Sequence, residues 1–246
     1  MSPLPDPTAA AESPRALADL NAWLAGLTAT QRVAWGLQSL AGAHALTSSF
    51  GAQAAVSLHL VTRLQPRIPV VLLDTGHLFP ETYAFVDELT QRLDLDLRIY
   101  TPEPLAAARA RSERPWERGE RGLDDYHRVH KLEPMQRALA ELDVRTWIAG
   151  LRRAQSDTRR GIDFLELRDG RWKLHPLADW TDRDVGQYLV RHGLPYHPLW
   201  EQGFVSIGDT HSTTRWEPGM RAQDTRFGGV KRECGLHFDS EAGRAA

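Results

Sequence analysis

The sequence predicts an α/β protein with a doubly wound, mostly parallel sheet, an irregular C-terminal lobe and a mobile C-terminal tail. Short apolar segments alternate along the chain with segments whose apolar residues recur at helical spacing. The segment from Pro69 to Leu73 is continuously apolar, as in parallel strands that are covered on both faces. In such sheets, ligands bind beyond the carboxyl ends of the strands.

The composition limits the number of domains, the partners and the compartment. The chain has 246 residues, which suits a single domain, expected at residues 13–238. Residues 1–12 are rich in proline and alanine and are expected to be disordered, and residues 239–246 are expected to form a tail. A net charge of −2 argues against a nucleic-acid binder. An export signal and a membrane-length apolar run are both missing, so a cytoplasmic protein without a membrane partner is expected.

Capping residues and apolar runs predict the order of elements in the first part of the chain. Ser13-Pro14 begins one helix, and Thr28 with Gln31 forms a capping box for the next. Strands are predicted at 45–47, 69–73, 95–100 and 145–149; helices follow the first two, and another occupies 133–142. The segment 109–131 carries many charges of both signs, which is typical of a solvated face.

The remaining elements lie beyond the fourth strand. Asp169-Gly170 separates two short strand runs, at 164–168 and 171–174, and predicts a hairpin. Thr181 with Asp184 forms a capping box for a helix that ends at Gly193. Residues 195–229 show little periodicity and predict an irregular lobe. A C-terminal active-site segment is expected at about 205–238; it begins inside this lobe and contains the only cysteine of the chain.

Cys234 lies between two cations and a histidine, in the stretch Lys231-Arg-Glu-Cys-Gly-Leu-His. A lone cysteine is commonly a small buried hydrophobic residue. Here the neighbouring charges favour a solvated segment and the thiolate form, which is the reactive one. A single thiol cannot form an internal disulfide, so the residue is expected to act as a nucleophile or to exchange with a partner's thiol.

Three strand-end loops carry groups that suit an anion or a nucleotide. The loop from Ser48 to Gln53 offers hydroxyl and N–H groups at a helix N-terminus, although it lacks the lysine of a P-loop and many tight turns look similar. Asp74-Thr75-Gly76 suits a ribose or a base edge, or simply a turn. Arg152 and Arg153 suit bidentate phosphate or sulfate contacts, although arginine pairs also often face solvent. Because a parallel sheet brings all three loops to one edge, their convergence favours a nucleotide site.

Five motifs of this chain together resemble, in order, those of bacterial phosphoadenylyl-sulfate (PAPS) reductases, over roughly residues 30 to 238. The motifs are Thr47-Ser-Ser-Phe-Gly-Ala-Gln, Leu73-Asp-Thr-Gly-His-Leu-Phe-Pro-Glu-Thr, Gly150-Leu-Arg-Arg-Ala-Gln-Ser, Gly208-Asp-Thr-His-Ser-Thr-Thr-Arg-Trp-Glu-Pro-Gly-Met and Lys231-Arg-Glu-Cys-Gly-Leu-His.

The resemblance implies a fold, an activity and a set of site residues. The family has an adenine-nucleotide α-hydrolase-like fold, is homodimeric and makes sulfite for cysteine biosynthesis with thioredoxin or glutaredoxin as reductant. It implies Cys234 as the catalytic nucleophile. The residues implied on the substrate side are Ser48, Ser49, Phe50, Gly51, Gln53, Asp74, Thr75, Gly76, Lys131, Gly150, Arg152, Arg153, Arg215, Arg226 and His237.

Two departures separate this chain from neighbouring families. ATP pyrophosphatases use a Ser-Gly-Gly-x-Asp-Ser loop, whereas this loop has Ala52 and Gln53 where an aspartate would assist metal-dependent chemistry. Adenylyl-sulfate reductases carry cluster cysteines in the regions that correspond to Tyr126-His127 and to Asp209 to Ser212, and no cysteine is present there. The expectation is therefore no metal, no iron–sulfur cluster and no other bound cofactor.

The residues and the resemblance together predict a two-step mechanism. The Cys234 thiolate attacks the sulfate sulfur of PAPS, adenosine 3',5'-bisphosphate leaves, and an external dithiol then releases sulfite from S-sulfocysteine. Two alternatives remain open from the sequence. One is an adenylyl-sulfate reductase that works without a cluster; the other is a nucleotide-binding regulatory module whose cysteine senses oxidation.

Overall fold

The structure, a computed structural model, describes residues 6–227. Its helices are α1 (Pro7–Glu12), α2 (Pro14–Ala25), α3 (Ala29–Ser39), α4 (Ala55–Thr62), α5 (Pro80–Leu93), α6 (Pro104–Glu113), α7 (Gly119–His127), α8 (Glu133–Glu141) and α9 (Asp182–His192). Its strands are β1 (Ala43–Thr47), β2 (Pro69–Leu73), β3 (Asp96–Tyr100), β4 (Val144–Ala149), β5 (Leu165–Arg168) and β6 (Arg171–Leu174). Within residues 6–227, no helix has the length and apolar composition needed to cross a bilayer.

The predicted capping boxes and the predicted hairpin are confirmed. Thr28 Oγ1 accepts a hydrogen bond from the Gln31 N–H at 3.3 Å, and Gln31 Oε1 accepts from the Thr28 N–H at 2.8 Å. Thr181 and Asp184 exchange the same pair of bonds at the start of α9. Asp169 and Gly170 both have positive φ, as a two-residue turn between antiparallel strands requires. These local features therefore follow directly from local sequence.

The prediction of disorder at residues 1–12 is wrong for residues 7–12, which form α1. The Asp6 carboxylate accepts hydrogen bonds from the N–H and the hydroxyl of Thr8, at 2.9 and 2.6 Å, and Pro7 occupies the first turn. Ala10 is buried against the core. A capped, alanine-rich turn that packs on α2 is stable where the same composition in isolation would not be.

The sheet is doubly wound, as predicted, in the order β3-β2-β1-β4-β6-β5. All neighbouring strands are parallel except β5 and β6, which are antiparallel. The chain moves outward from β1 to β3 and then returns across the sheet to β4. Right-handed crossovers therefore place α4 and α5 on one face and α8 on the other. The point where the direction reverses lies between β1 and β4, and ligands bind at such a point in open α/β sheets.

The segment 109–131, expected to be a solvated face, instead covers the strand ends. It contains the end of α6, a short 3₁₀ turn, α7 and the start of a π-helical stretch, Arg128–Leu132, that joins α7 to α8. Its charged residues other than Lys131 are exposed, whereas Tyr126, His127 and His130 are buried. The many charged residues correctly predict the solvent-exposed face of this segment. They do not predict its buried face, which carries Tyr126, His127 and His130.

The C-terminal lobe is irregular, as predicted, over the described residues 195–227. It contains three short 3₁₀ turns, Trp200–Gln202, Thr210–Ser212 and Ala222–Thr225. A small apolar cluster attaches the lobe to the loops after β1 and β2; its members are Ala52, Leu199 and Ile207, with Phe79, Trp200 and Phe204 packed against them. The predicted active-site segment is described only as far as Phe227. The rest of that segment and the tail lie outside the described residues.

Candidate active site

The loop after β1 is held tightly by its own serine. Ser48 Oγ accepts a hydrogen bond from the Phe50 N–H at 3.1 Å, and the Ser48 N–H donates to the carbonyl of Val71 at 3.1 Å. Phe50 has a φ of 47°, which is strained for a residue with a side chain, and its ring is fully buried. Phe50 therefore anchors the loop in the core and can meet a ligand only through its backbone, whereas Ser49 is exposed.

A close approach explains the glycine at position 51. A Cβ atom there would lie 3.2 Å from the carbonyl oxygen of Ile207 in the C-terminal lobe. The loop after β1 and the lobe thus lie so close that a side chain at position 51 would require the backbone at Ile207 to shift by a few tenths of an ångström.

The loop after β2 is a tight turn with one outward and one inward contact. Asp74 Oδ1 accepts hydrogen bonds from the Gly76 N–H and the Tyr83 hydroxyl, both at 2.8 Å. Gly76 has a φ of 73°, which favours glycine. Thr75 is buried, and its hydroxyl donates to Asp209 Oδ1 at 2.6 Å. Thr75 is thus bonded to the C-terminal lobe, a contact that the sequence did not predict.

The side chain of Arg152, in the loop after β4, spans the crevice between β1 and β4, where the strand order reverses. Its guanidinium donates to Gln53 Oε1 at 2.6 Å, to Asp182 Oδ1 at 2.8 Å and to the Trp180 carbonyl at 3.3 Å. The residue is only 4% exposed. Arg152 therefore ties the loop after β1 to the start of α9 and fixes both sides of the crevice between β1 and β4.

Arg153 does not form the predicted guanidinium pair with Arg152. Its Nε donates to the carbonyl of Ile162 at 2.8 Å, and its guanidinium lies 4.7 Å from the centre of the Phe164 ring. Neighbouring residues in this irregular loop point in different directions, which sequence adjacency does not show.

A buried carboxylate, Asp209, lies at the centre of the contacts between the lobe and the strand ends. Its Oδ2 is 2.7 Å from the Lys131 ammonium, and its Oδ1 accepts from the Thr75 hydroxyl. Burial by itself would raise the pKa of the Asp209 carboxyl. The Lys131 ammonium, its hydrogen bond and that of Thr75, and the nearby Arg226 guanidinium outweigh burial and hold this pKa well below its usual range. Asp209 is therefore ionised at neutral pH.

Arg226 approaches the same carboxylate from the far end of the lobe. Thr213 and Arg226 form an antiparallel bridge, and Arg226 Nε donates to the carbonyl of Ser212 at 3.3 Å. The guanidinium lies so close to Gly208 that a Cβ there would clash with it. Of the two arginines that the resemblance implies in this lobe, Arg226 therefore lies beside Asp209, whereas Arg215 is exposed and lies against Phe204 and Gly203.

Four histidines and two aromatic residues pack around the Lys131–Asp209 pair and form what we term the histidine cluster. Its members are His77, Trp116, Tyr126, His127, His130 and His211. Trp116 stacks on His211 at 4.1 Å, and Tyr126 on His130 at 4.3 Å.

The histidines of this cluster are uncharged at neutral pH. Burial lowers the pKa of His127 to about 3 and those of His130 and His211 to about 4. The cations beside Asp209 are therefore Lys131 and Arg226. Single histidines scattered over about 130 positions give no sequence signal, and Asp209 lies in a motif whose sequence does not reveal its role.

Two of the predicted site residues, Cys234 and His237, lie outside the described residues. Among residues 6–227, no group of three or more histidine, aspartate or glutamate side chains is arranged to hold a metal ion. The two segments that correspond to cluster-cysteine regions in adenylyl-sulfate reductases, at Tyr126-His127 and at Asp209 to Ser212, meet in the histidine cluster.

Comparison with known proteins decides the family. The model of the phosphoadenosine phosphosulfate reductase domain matches residues 43–215. The chain belongs to this family. A phosphoadenosine 5'-phosphosulfate reductase from Xanthomonas axonopodis pv. citri is 60% identical over 221 residues, covering 89% of this chain and 92% of the relative. One from Vibrio vulnificus is 55% identical over 228 residues, covering 92% and 88%. The resemblance identified from the motifs is thus confirmed.

Solved structures agree with this membership and confirm the fold. A PAPS reductase from Candida auris, solved as a phosphate complex, superposes with a TM-score of 0.71 at 28% identity, covering 82% of this chain and 98% of that one. FMN adenylyltransferase from Candida glabrata, at 16% identity and a TM-score of 0.55, shares the fold alone, covering 78% and 66%. Within the reductase domain match lie all three strand-end loops, Lys131 and Asp209; Arg226 and Cys234 follow it in the sequence.

Proposed function

We propose that this protein reduces PAPS to sulfite and adenosine 3',5'-bisphosphate, with thioredoxin or glutaredoxin as the reductant. The observation that carries the proposal is the reductase domain match, because it spans all three loops that the fold brings to the switch point between β1 and β4. The proposed role in the cell is assimilatory sulfate reduction in the cytoplasm, which supplies sulfite for cysteine biosynthesis.

The charges around the crevice support a polyanionic substrate. PAPS carries two phosphate-bearing positions and a sulfate, so its binding requires cations and N–H donors. Arg152, Lys131 and Arg226 are the cations placed at the loops and the lobe, and the buried histidines beside them are neutral. The backbone of the Ser48 loop, at the N-terminal end of α4, is proposed to hold a phosphate. Arg215 is exposed on the lobe. We propose that its side chain turns toward the substrate after the substrate has bound in the crevice.

The proposed catalytic nucleophile is Cys234, which lies outside the described residues. Cys234 is the seventh residue after Phe227, which packs beside Lys131, with Nζ 6.0 Å from the ring centre. Since seven residues span at most roughly 25 Å, the chain is long enough to bring Cys234 to the crevice. His237 is proposed to lie beside the substrate when Cys234 is at the crevice.

The proposed reaction has two steps. First, the Cys234 thiolate forms a bond to the sulfate sulfur, and the S–O bond breaks so that adenosine 3',5'-bisphosphate leaves with the electron pair. Second, a thiolate of the reductant attacks Cys234 Sγ, and sulfite leaves with the electrons of the S–S bond. The second thiol of the reductant then displaces Cys234, so the reductant is oxidised to a disulfide and the sulfur is reduced by two electrons. The chain contains one cysteine, so it cannot supply this second thiol itself.

A single-turnover experiment tests both steps. Enzyme mixed with PAPS but no thioredoxin should release one equivalent of adenosine 3',5'-bisphosphate and stop, with one SO₃ group added to the Cys234 peptide by mass spectrometry. Reduced thioredoxin should then release one equivalent of sulfite. The control is Cys234→Ser, which should bind the nucleotide but give neither the burst nor the adduct. Sulfite formation by Cys234→Ser at a near wild-type rate would contradict the mechanism.

The same assay separates the alternatives. Equal turnover of adenylyl sulfate and PAPS would indicate the cluster-free adenylyl-sulfate reductase, because the arginine-rich crevice is expected to favour the additional 3'-phosphate. Nucleotide binding without sulfite release would indicate a regulatory module. The protein is further proposed to act as a homodimer without a bound cofactor; size-exclusion chromatography with light scattering and iron analysis of the same preparation check both statements.

A further inference from the structure

Asp209 connects parts of the chain that are far apart in sequence. Its carboxylate contacts Thr75 in the loop after β2 and Lys131 in the π-helical stretch, and Arg226 lies beside it at the end of the lobe. The backbone next to it is also fixed, since the Thr210 N–H donates to the carbonyl of His77 at 2.8 Å. Any movement of Asp209 would therefore be transmitted to the strand ends.

The carboxylate is built to hold the Lys131 ammonium in one place. The side chain of Asp209 is 1% exposed and that of Lys131 is 12% exposed, so solvent screens their attraction weakly. The Thr75 hydroxyl occupies the other carboxylate oxygen and orients the group. Lysine has a flexible four-carbon stem and no geometric preference of its own, so a fixed partner is what defines the position of its charge.

The π-helical stretch aims Lys131 at this partner. In residues 128–132 the backbone bonds follow an i→i+5 pattern, and the Glu133 N–H donates to the carbonyl of Arg128. Such bulges rotate the side chains on one side of a helix relative to those on the other, and they are frequent at functional sites. Here Lys131 points into the strand-end crevice, toward Asp209, and its Nζ also lies 6.0 Å from the centre of the Tyr126 ring.

We infer that Asp209 is a positioning residue that fixes the Lys131 ammonium where it stabilises the anionic group of the substrate during transfer. The inference rests on the proposed function. The Lys131 ammonium lies 2.7 Å from one Asp209 oxygen, and an ammonium has three N–H donors, so it can meet this carboxylate and the substrate at the same time. Asp209 itself is too deeply buried to meet the substrate, and its negative charge would repel an anion.

The first test is Asp209→Asn, compared with the wild type for PAPS reduction. The amide keeps the size of the side chain but loses the charge that holds Lys131. We expect kcat to fall by about 10- to 100-fold, as for the loss of one charge-assisted hydrogen bond. We expect KM for PAPS to stay equal or fall, because the crevice gains a unit of positive charge. A variant that had merely lost its local fold would raise KM.

The matched control is Asp179→Asn, which removes the charge of an aspartate that pairs with buried Arg32 at 2.7 Å. Both Asp179→Asn and Asp209→Asn should lower the melting temperature, but Asp179→Asn should leave kcat within about twofold. If both variants lost kcat in proportion to stability, Asp209 would be structural only and the inference would be wrong.

A double-mutant cycle tests whether Asp209 acts through Lys131. Lys131→Met should lower kcat, and adding Asp209→Asn should lower it by less than about twofold more, since the positioned charge is already absent. An undiminished effect of Asp209→Asn in the Lys131→Met background would overturn the inference.

Two substitutions of Thr75 leave the Asp209 carboxylate in place and can be used if Asp209→Asn does not fold. Thr75→Val removes the hydroxyl that orients the carboxylate and should lower kcat in the same direction, whereas Thr75→Ser should recover most of the loss. Equal kcat for the two Thr75 variants would contradict the role. Measuring the wild-type protein in the same assay distinguishes failure of the proposed PAPS reduction from failure of the proposed role of Asp209. Absence of sulfite from the wild type contradicts the proposed function and the role with it, whereas full kcat in Asp209→Asn contradicts the role alone.

Discussion

At the scale of single residues, adjacent arginines with the same chemistry have different roles. Arg152 bonds Gln53 and Asp182 across the crevice, whereas Arg153 bonds the Ile162 carbonyl. We expect Arg152→Ala to weaken binding of adenosine 3',5'-bisphosphate by about tenfold or more, because it removes a cation and frees both sides of the crevice. Arg153→Ala should weaken it by less than about threefold, as measured by titration calorimetry. A larger effect of Arg153→Ala would show that its guanidinium turns toward the ligand.

At the scale of secondary-structure elements, the end of β4 must lie directly on α4. A Cβ on Gly150 would be 2.8 Å from both Cβ and Oγ of Ser57 in α4. We expect Gly150→Ala to reduce the free energy of unfolding by about 1–3 kcal/mol through overpacking, and to weaken nucleotide binding by displacing the loop that carries Arg152. Denaturant unfolding and calorimetry measure the two effects.

Two further variants show whether this contact is the cause. Gly161→Ala places the same methyl group where nothing lies within 4 Å and should be neutral. Ser57→Gly should cancel most of the added cost of Gly150→Ala when the two are combined, relative to Ser57→Gly alone. Additive effects of the two substitutions would exclude steric contact as the reason for the glycine.

At the scale of the whole molecule, buried histidines make stability depend on pH. Burial lowers the pKa to about 3 in His127 and His175 and to about 4 in His130, His197 and His211, from 6.5 in an exposed histidine. Between pH 6.5 and 4 the unfolded chain therefore binds protons that the folded protein does not. Full stability is expected above pH 6.5, with a progressive loss as pH falls toward 4, by up to roughly 1.4 kcal/mol per pH unit for each histidine.

Urea unfolding at pH 7.5, 6.0 and 5.0 measures this dependence. His127→Gln should reduce the difference in unfolding free energy between pH 7.5 and 5.0, because one group that takes up a proton on unfolding has been removed. The lowered pKa of Asp209 acts in the same direction at more acidic pH. Equal unfolding free energies at pH 7.5 and 5.0 would contradict the burial of these histidines.

The sequence by itself determined the features that depend on neighbours along the chain. Capping boxes at Thr28 and Thr181, the Asp169-Gly170 turn and the apolar run of β2 specify local backbone structure, and all were predicted correctly. The alternation of strands and helices, with the short strand-end motifs, also determined the doubly wound fold and the family. Short-range physics and order along the chain were sufficient for these conclusions.

Only the tertiary structure decided which side chains meet. Thr75 and Lys131 both contact the buried Asp209 carboxylate. The three residues are separated by tens of positions in the sequence, and no local pattern shows that they meet. The tertiary structure likewise turned Arg153 away from Arg152 and placed Tyr126 and His130 inside a segment whose charges suggest exposure. Direction and burial arise from packing between distant segments, and in a buried ion pair that packing sets how strongly the charges interact.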